Sequence, residues 1–178
     1  FRGNALGGGA ALKLAIERPE YIDRLILLGP AGLITAYTKV PTEGARMIFQ
    51  YYQGEGPTRE KLEAFLRLMI HDDSNLTDDL VEERFQASID PDVVAAPPLG
   101  KGKVPILEEL WRDERLSTIQ HETLILWGRE DRVNPVYSAD ILLDQLPNAR
   151  MVSFTNCGHW VQWERAAEFD SMVLAFLA

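Results

Sequence analysis

Two hydrophobic periods take turns along the chain. Residues 24–28 read Arg-Leu-Ile-Leu-Leu, a short apolar run that ends at Gly29-Pro30. Residues 123–127, Thr-Leu-Ile-Leu-Trp, repeat the pattern and end at Gly128, and 150–154, Arg-Met-Val-Ser-Phe, precede Thr155-Asn-Cys-Gly158. Short runs bounded by glycine or proline predict strands, and the unbroken ones predict burial on both faces, as in a parallel sheet. Between the runs the period is helical. Leu6, Ala10, Ala11, Leu14 and Ala15 recur at helical spacing over 6–18, and Pro19 stops the pattern. A second helix is predicted from Tyr137 to Leu146, and a third from Glu164, with Phe169, Met172, Val173 and Phe176 on one face. Phe1 to Asn4 form the stub of a first strand. Alternating strand and helix predict an α/β fold with a mostly parallel, doubly wound sheet.

Residues 34–115 break the alternation. Glycine and proline punctuate them at Pro41, Gly44, Gly54, Gly56, Pro57 and Pro97-Pro98-Leu99-Gly100. Two helical patterns lie between. Thr58 can cap one, with Glu60 in its first turn and Leu62, Phe65, Leu66 and Met69 as its apolar stripe. Thr77 can cap the other, with Asp78 and Asp79 at the positive end of the helix dipole and Leu80, Val81 and Phe85 on its apolar side. The chain therefore divides into α/β core at 1–33, a helical cap at 34–115, and returning core at 116–178.

The candidate chemistry sits at strand ends. Gly3-Asn4-Ala5-Leu6-Gly7 fits the nucleophile elbow G-x-S-x-G except at the third position, where alanine stands for serine. Asp131 follows one predicted strand by a few residues, and His159 follows the next. In a parallel sheet both emerge at the carboxyl edge, where α/β folds bind ligands. The order elbow, Asp, His is that of the α/β-hydrolases. Serine is a poor nucleophile until a base takes its proton. Histidine does so near neutral pH, and aspartate fixes its tautomer and steadies the cation. The backbone N–H of Leu6 would be an oxyanion donor. Each signal is weak alone; together, each after its own strand, they are strong.

Arg84 is the other candidate. With Leu80 at zero and 100° per residue, Val81 falls at about 100°, Phe85 at about 140° and Arg84 at about 40°. Arg84 thus lies within the apolar arc. It reads equally as a snorkelling arginine or as a cation aimed at a substrate carboxylate. Trp160 reads as packing, Asn4 as a turn former, and Cys157 as inert.

Composition narrows the classes. The 178 residues carry a net charge of −9 and 46% hydrophobic content. An acidic chain argues against nucleic acid, and no apolar run approaches a membrane span. No signal-peptide or polybasic pattern is present. One cysteine cannot form an internal disulfide, which fits a reducing, cytoplasmic setting. Cysteine pairs and His-x-x-x-His spacing are absent, so neither metal nor cofactor is expected. Only Phe1-Arg2 precede the first glycine, so the chain reads as the C-terminal part of a domain whose upstream half is missing.

Five stretches carry a family resemblance: Gly-Asn-Ala-Leu-Gly-Gly-Gly at 3–9, Arg24-Leu-Ile-Leu-Leu-Gly-Pro30, Pro57-Thr-Arg-Glu60, Trp127-Gly-Arg-Glu-Asp-Arg-Val-Asn-Pro135 and Cys157-Gly-His-Trp160. In these the chain resembles the meta-cleavage product hydrolases of bacterial aromatic and steroid catabolism, and the resemblance runs over its whole length. It implies hydrolysis of a carbon–carbon bond in 2-hydroxy-6-oxo-hexa-2,4-dienoates, through tautomerisation of the dienol to a ketone. The implied roles are His159 as base, Asp131 as its partner, the Leu6 N–H as oxyanion donor, and Asn4, Arg84 and Trp160 as substrate contacts. A homo-oligomer, dimer or higher, and a second oxyanion donor upstream are also implied. Position 5 departs from the pattern. Ala5 reads as a serine replaced to hold substrate, with a natural non-catalytic ligand-binding relative as the alternative. An ester hydrolase is a third reading, though it needs no cation such as Arg84. Dehalogenase chemistry would need a carboxylate at position 5.

Overall fold

The structure, a computed structural model, describes residues 1–33, 36–37, 39–97 and 109–178. Four strands form one sheet in the order β1 (Arg2–Asn4), β2 (Arg24–Leu28), β3 (Glu122–Gly128), β4 (Ala149–Phe154), and every neighbouring pair is parallel. The register aligns their carboxyl ends: Asn4 lies beside Leu28, Leu28 beside Leu126, and Gly128 beside Phe154. Ala5, Gly29 and the loops after β3 and β4 therefore leave the sheet along one edge.

Helices cover both faces, which is why β2 and β3 read as unbroken apolar runs. Leu25, Leu27, Ile125 and Trp127 pack towards α1 (Leu6–Glu17) and α6 (Ala139–Gln145). Their neighbours Ile26, Leu28, Leu124 and Leu126 pack towards Phe169 and Val173 of α8 (Ala166–Leu177). Alternate residues thus feed two different cores.

Between β2 and β3 the chain makes a helical insertion: α2 (Glu43–Tyr51), α3 (Arg59–Met69), α4 (Asp78–Ser88) and the short α5 (Pro91–Ala95). The two expected caps form. Thr58 Oγ1 accepts from Lys61 N at 3.2 Å, and Thr77 Oγ1 accepts from Leu80 N at 3.2 Å. Tyr51, Leu62, Leu66, Met69 and Val81 meet in a third core, which touches the sheet side through Val133. Residues 34, 35, 38 and 98–108 of the segment read as a cap, including Pro98-Leu99-Gly100, lie outside the described residues.

Three local readings change. The helix α2 was not expected, because Gly44 read as punctuation; yet Thr42 caps it and Met47, Ile48 and Tyr51 have helical spacing. The helix expected from Tyr137 begins as one 3₁₀ turn, Val136–Ser138, before α6. The tail starts earlier than Glu164, with α7 (Val161–Glu164), and breaks at Arg165, whose φ of −127° is not helical.

Candidate active site

The sharp turn after β1 is built first from backbone. Ala5 has φ 49° and ψ −115°, a conformation that costs a non-glycine residue about 1–3 kcal/mol. Its N–H donates to Leu28 O at 3.0 Å, and its carbonyl accepts from Gly9 N at 3.0 Å and Ala31 N at 2.9 Å. These three bonds hold the strain in place. A Cβ on Gly3 would lie 2.1 Å from Gly7 O, so the first glycine of the motif is a steric requirement. Nothing lies within 4 Å of a Cβ on Gly7, which the contacts leave unexplained. The N–H of Leu6 opens α1 with no hydrogen bond among the described residues, as a first-turn donor does.

Asp131 and His159 are brought together. His159 Nδ1 donates to Asp131 Oδ2 at 2.7 Å, and the two residues are only 4% and 6% exposed. The other carboxylate oxygen, Oδ1, accepts from Val133 N at 2.8 Å and Asn134 N at 2.9 Å. With Nδ1–H committed to Asp131, Nε2 is the basic nitrogen. Asn134 reaches further: Nδ2 donates to Gly29 O at 2.7 Å, and its carbonyl accepts from Trp127 Nε1 at 2.7 Å. Gly29 has φ +43°, and a Cβ there would sit 3.0 Å from Asp131 Oδ2 and 3.5 Å from His159 Nδ1. The end of β2 thus leaves room for the pair.

The loop after β4 is held by three different elements. Cys157 N donates to Glu130 Oε2 at 3.0 Å, Gly158 N to Glu164 Oε1 at 2.9 Å, and His159 N to Met69 O at 2.7 Å. Glu164 Oε2 also accepts from His71 N at 2.7 Å, so one carboxylate ties the histidine loop to the insertion. Cys157 is fully buried, and burial pushes its thiol up to about 12. It is no nucleophile at neutral pH.

A cavity of about 330 Å³ opens where these parts meet. Asn4, Ala5, Asn134 and His159 line its sheet side, and Ile48, Phe49, Phe65 and Met69 its insertion side. Trp160 also lines it, edge-on to Trp163 with centroids 6.2 Å apart. Asn4 is more than a turn former, since Nδ2 donates to Leu28 O at 3.2 Å and His159 O at 3.3 Å. Arg84 keeps both of its readings open. It is exposed, and its guanidinium lies 5.8 Å from the ring centroid of Trp160, which lines the cavity. Val81 is the buried residue of α4, and Leu80 and Phe85 pack partly buried beside it.

Sequence reasoning missed Gly29, Glu130, Asn134 and Glu164. The first three lie in the stretches 24–30 and 127–135 that carry the resemblance, while Glu164 had no such signal. Among the described residues no group of three metal-ligating side chains forms, and no helix is long and apolar enough to cross a membrane.

Comparison with known proteins follows the same lines. Residues 3–166 match the family described as alpha/beta hydrolase fold. The chain is 37% identical over 180 residues to a 2-hydroxy-6-oxononadienedioate/2-hydroxy-6-oxononatrienedioate hydrolase of Comamonas testosteroni, covering 99% of this chain and 61% of that protein. It is likewise 37% identical over 180 residues to a 2-hydroxy-6-oxo-6-phenylhexa-2,4-dienoate hydrolase of Burkholderia cepacia, with the same 99% and 61% coverage. A serine-to-alanine mutant of the meta-cleavage product hydrolase from Pseudomonas fluorescens IP01, solved with acetates, superposes with a TM-score of 0.85 at 32% identity, over 99% of this chain and 63% of that one. The chain thus spans about three fifths of the length of the relatives it matches.

Proposed function

The chain belongs to the alpha/beta hydrolase fold family, and from that premise we propose that its site hydrolyses a carbon–carbon bond in 2-hydroxy-6-oxo-dienoates, with the nucleophile removed in the present sequence. One observation carries the reading. A buried His159–Asp131 pair, joined at 2.7 Å, shares a cavity with a strained elbow whose backbone is set for a nucleophile. The two curated relatives named above are hydrolases of such dienoates.

In this reading the substrate enters as a dienol. His159 Nε2 moves the proton of the C2 hydroxyl to C5, so that the dienol becomes its 2-oxo tautomer and the C6 ketone is unchanged. With serine at position 5, His159 then takes the hydroxyl proton, and the oxygen adds to C6. The Leu6 N–H steadies the oxyanion. The C5–C6 bond breaks, its electron pair passes through the enone to O2, which takes the proton from His159, and water hydrolyses the acyl–serine ester to release the C6 acid. The other product is 2-hydroxypenta-2,4-dienoate. Trp160 and Arg84 mark the end of the cavity that receives the dienoate carboxylate, and Asn4 fixes the loop beside it. The insertion acts as the cap. The resemblance extends the proposal to a cytoplasmic homo-oligomer.

With Ala5 the addition step is blocked, while binding and proton transfer by His159 remain. We read Ala5 as a replaced serine, and a structural relative was itself solved as a serine-to-alanine mutant. A natural ligand-binding protein is the second reading, favoured by Ala5 alone; the codon at position 5 of the native gene separates the two. The functional test follows the visible absorbance of a phenyl-substituted ring-fission product with the Ala5→Ser protein and with the chain as it stands. Bleaching by the variant, and only a spectral shift with Ala5, supports the proposal. Binding by both without bleaching overturns it.

A further inference from the structure

The loops that carry Asp131 and His159 stay joined past the end of the sheet, but their pairing skips. Gly128 lies beside Phe154, and Arg129 N still donates to Phe154 O at 2.9 Å. The next bond runs from Glu130 N to Cys157 O at 3.0 Å. Thr155 and Asn156 are left over and loop outward, with Asn156 left-handed at φ 53°. Asparagine tolerates that conformation better than most residues. The skip carries the β4 side across the end of β3. A Cβ on Gly128 would sit 1.9 Å from Gly158 O and 2.3 Å from Cys157 O, so only glycine permits the crossing. His159 is thereby delivered onto Asp131.

Glu130 closes this junction with its side chain as well. Its N–H donates to Cys157 O, and its Oε2 accepts from Cys157 N at 3.0 Å. Both backbone polar groups of the buried Cys157 are thus bound by one residue. A single bond would leave the loop free to hinge; the pair also resists rotation. The bond to the carboxylate is of the stronger, charge-assisted kind. Met69 O and Glu164 hold the same loop from the insertion and from α7. Of these three holds, Glu130 is the one that comes from the loop bearing Asp131. It is half-buried and is not among the described residues lining the reaction cavity. Any effect it has on chemistry passes through its neighbours.

We propose that Glu130 is a positioning residue. By clamping Cys157 it sets the separation and mutual angle of Asp131 and His159, and so aims Nε2 at position 5. Hydrogen bonds weaken steeply as they bend, and a misplacement of about 1 Å can cost about 100-fold in rate. The kinetic consequence rests on the carbon–carbon hydrolase reading, while the clamp can be read without turnover.

The first test uses the chain as it stands, with Ala5, made with whatever its gene encodes upstream of Phe1. The His159 Nδ1 proton, held 2.7 Å from Asp131 Oδ2 in a buried site, gives a far-downfield proton resonance. Its exchange with water reports how well the pair is held. Glu130→Ala should broaden or abolish that resonance, and Glu130→Gln, which keeps an acceptor oxygen, should restore it. Arg165 Nη2 donates to Thr155 O at 2.6 Å and Asn156 O at 3.3 Å, which supports the looped-out residues but not the clamp. Arg165→Ala should therefore keep the resonance while lowering stability. A sharp resonance in Glu130→Ala overturns the inference. So does equal loss in both alanine variants, which would make Glu130 a mere loop support. If circular dichroism shows Glu130→Ala unfolded, Glu130→Asp, one methylene shorter, takes its place with the same two outcomes.

The second test adds Ala5→Ser and follows 2-hydroxy-6-oxo-6-phenylhexa-2,4-dienoate. Glu130→Ala should lower kcat by about 100-fold with KM within about twofold, and Glu130→Gln should recover about tenfold of the loss. An unchanged kcat, or a loss carried by KM, overturns the inference and leaves the hydrolase reading standing. If the Ala5→Ser protein cleaves nothing, the hydrolase reading falls, and the proton resonance still decides the clamp.

Discussion

The cavity has two walls of different make. The sheet wall, Asn4, Ala5, Asn134 and His159, consists of residues at or just past strand ends, held mainly by backbone hydrogen bonds. The insertion wall, Ile48, Phe49, Phe65 and Met69, consists of side chains on helices that pack mostly against one another. Parallel strands in register place atoms along one edge to within fractions of an ångström, which proton transfer needs. A helix stripe only has to be apolar and of about the right volume. In the proposed function, the first wall would fix where the reaction happens and the second what reaches it.

That division predicts unequal consequences. In an Ala5→Ser background, His159→Ala should lower kcat by about 10⁴-fold or more with little change in fold, read by steady-state kinetics beside circular dichroism. Trp127→Ala removes the largest fully buried side chain of the sheet and the donor to Asn134 O. It should cost about 3–5 kcal/mol by urea unfolding, and activity should fall because Asn134 holds Asp131. Glu164→Ala tests the tie between the walls. It leaves Gly158 N and His71 N without acceptors, costs about 1–3 kcal/mol, and should lower kcat for every substrate alike. Glu164→Gln, which keeps one acceptor oxygen, should recover part of the loss. Thr58→Ala, an insertion cap, should cost about 1 kcal/mol and shift KM more than kcat.

The smallest effect belongs to Cys157. Its folded pKa of about 12 lies above the ordinary 9.0, so the unfolded thiol ionises first as pH rises. The unfolded state then binds fewer protons, and stability present below pH 9 declines from there towards 12. Cys157→Ala should flatten that slope. The native thiol should resist alkylation at pH 8, where unfolded chain reacts.

Each wall was legible in part: Ala5, Asp131 and His159 on the sheet side, and Phe65 and Met69 on the insertion side. Runs such as Leu25–Leu28 announce strands because burial on both faces leaves no polar position, and Asp131 and His159 follow from where those strands end. The rest depends on long-range contacts that no local period records. Glu164 meets His71 across 93 residues and Asn134 meets Gly29 across 105, and nothing near either end marks the other. Helix α2 was masked by Gly44, whose Cβ would come within 2.7 Å of Val133, so the glycine serves close packing rather than a turn. On α4 the angular reading places Leu80, Val81 and Phe85 against the core as expected, while Arg84 between them extends its guanidinium to Trp160.

The bond from His159 N to Met69 O joins the base to the last turn of α3. A swing of the insertion that uncovers the cavity has to break it, and Glu164 must give up His71 as well. The histidine loop thus has its full set of restraints only with the insertion seated on it. In the proposed reaction, water would reach the cavity most freely when His159 is least well held, so a ketone substrate would be shielded by timing as much as by enclosure.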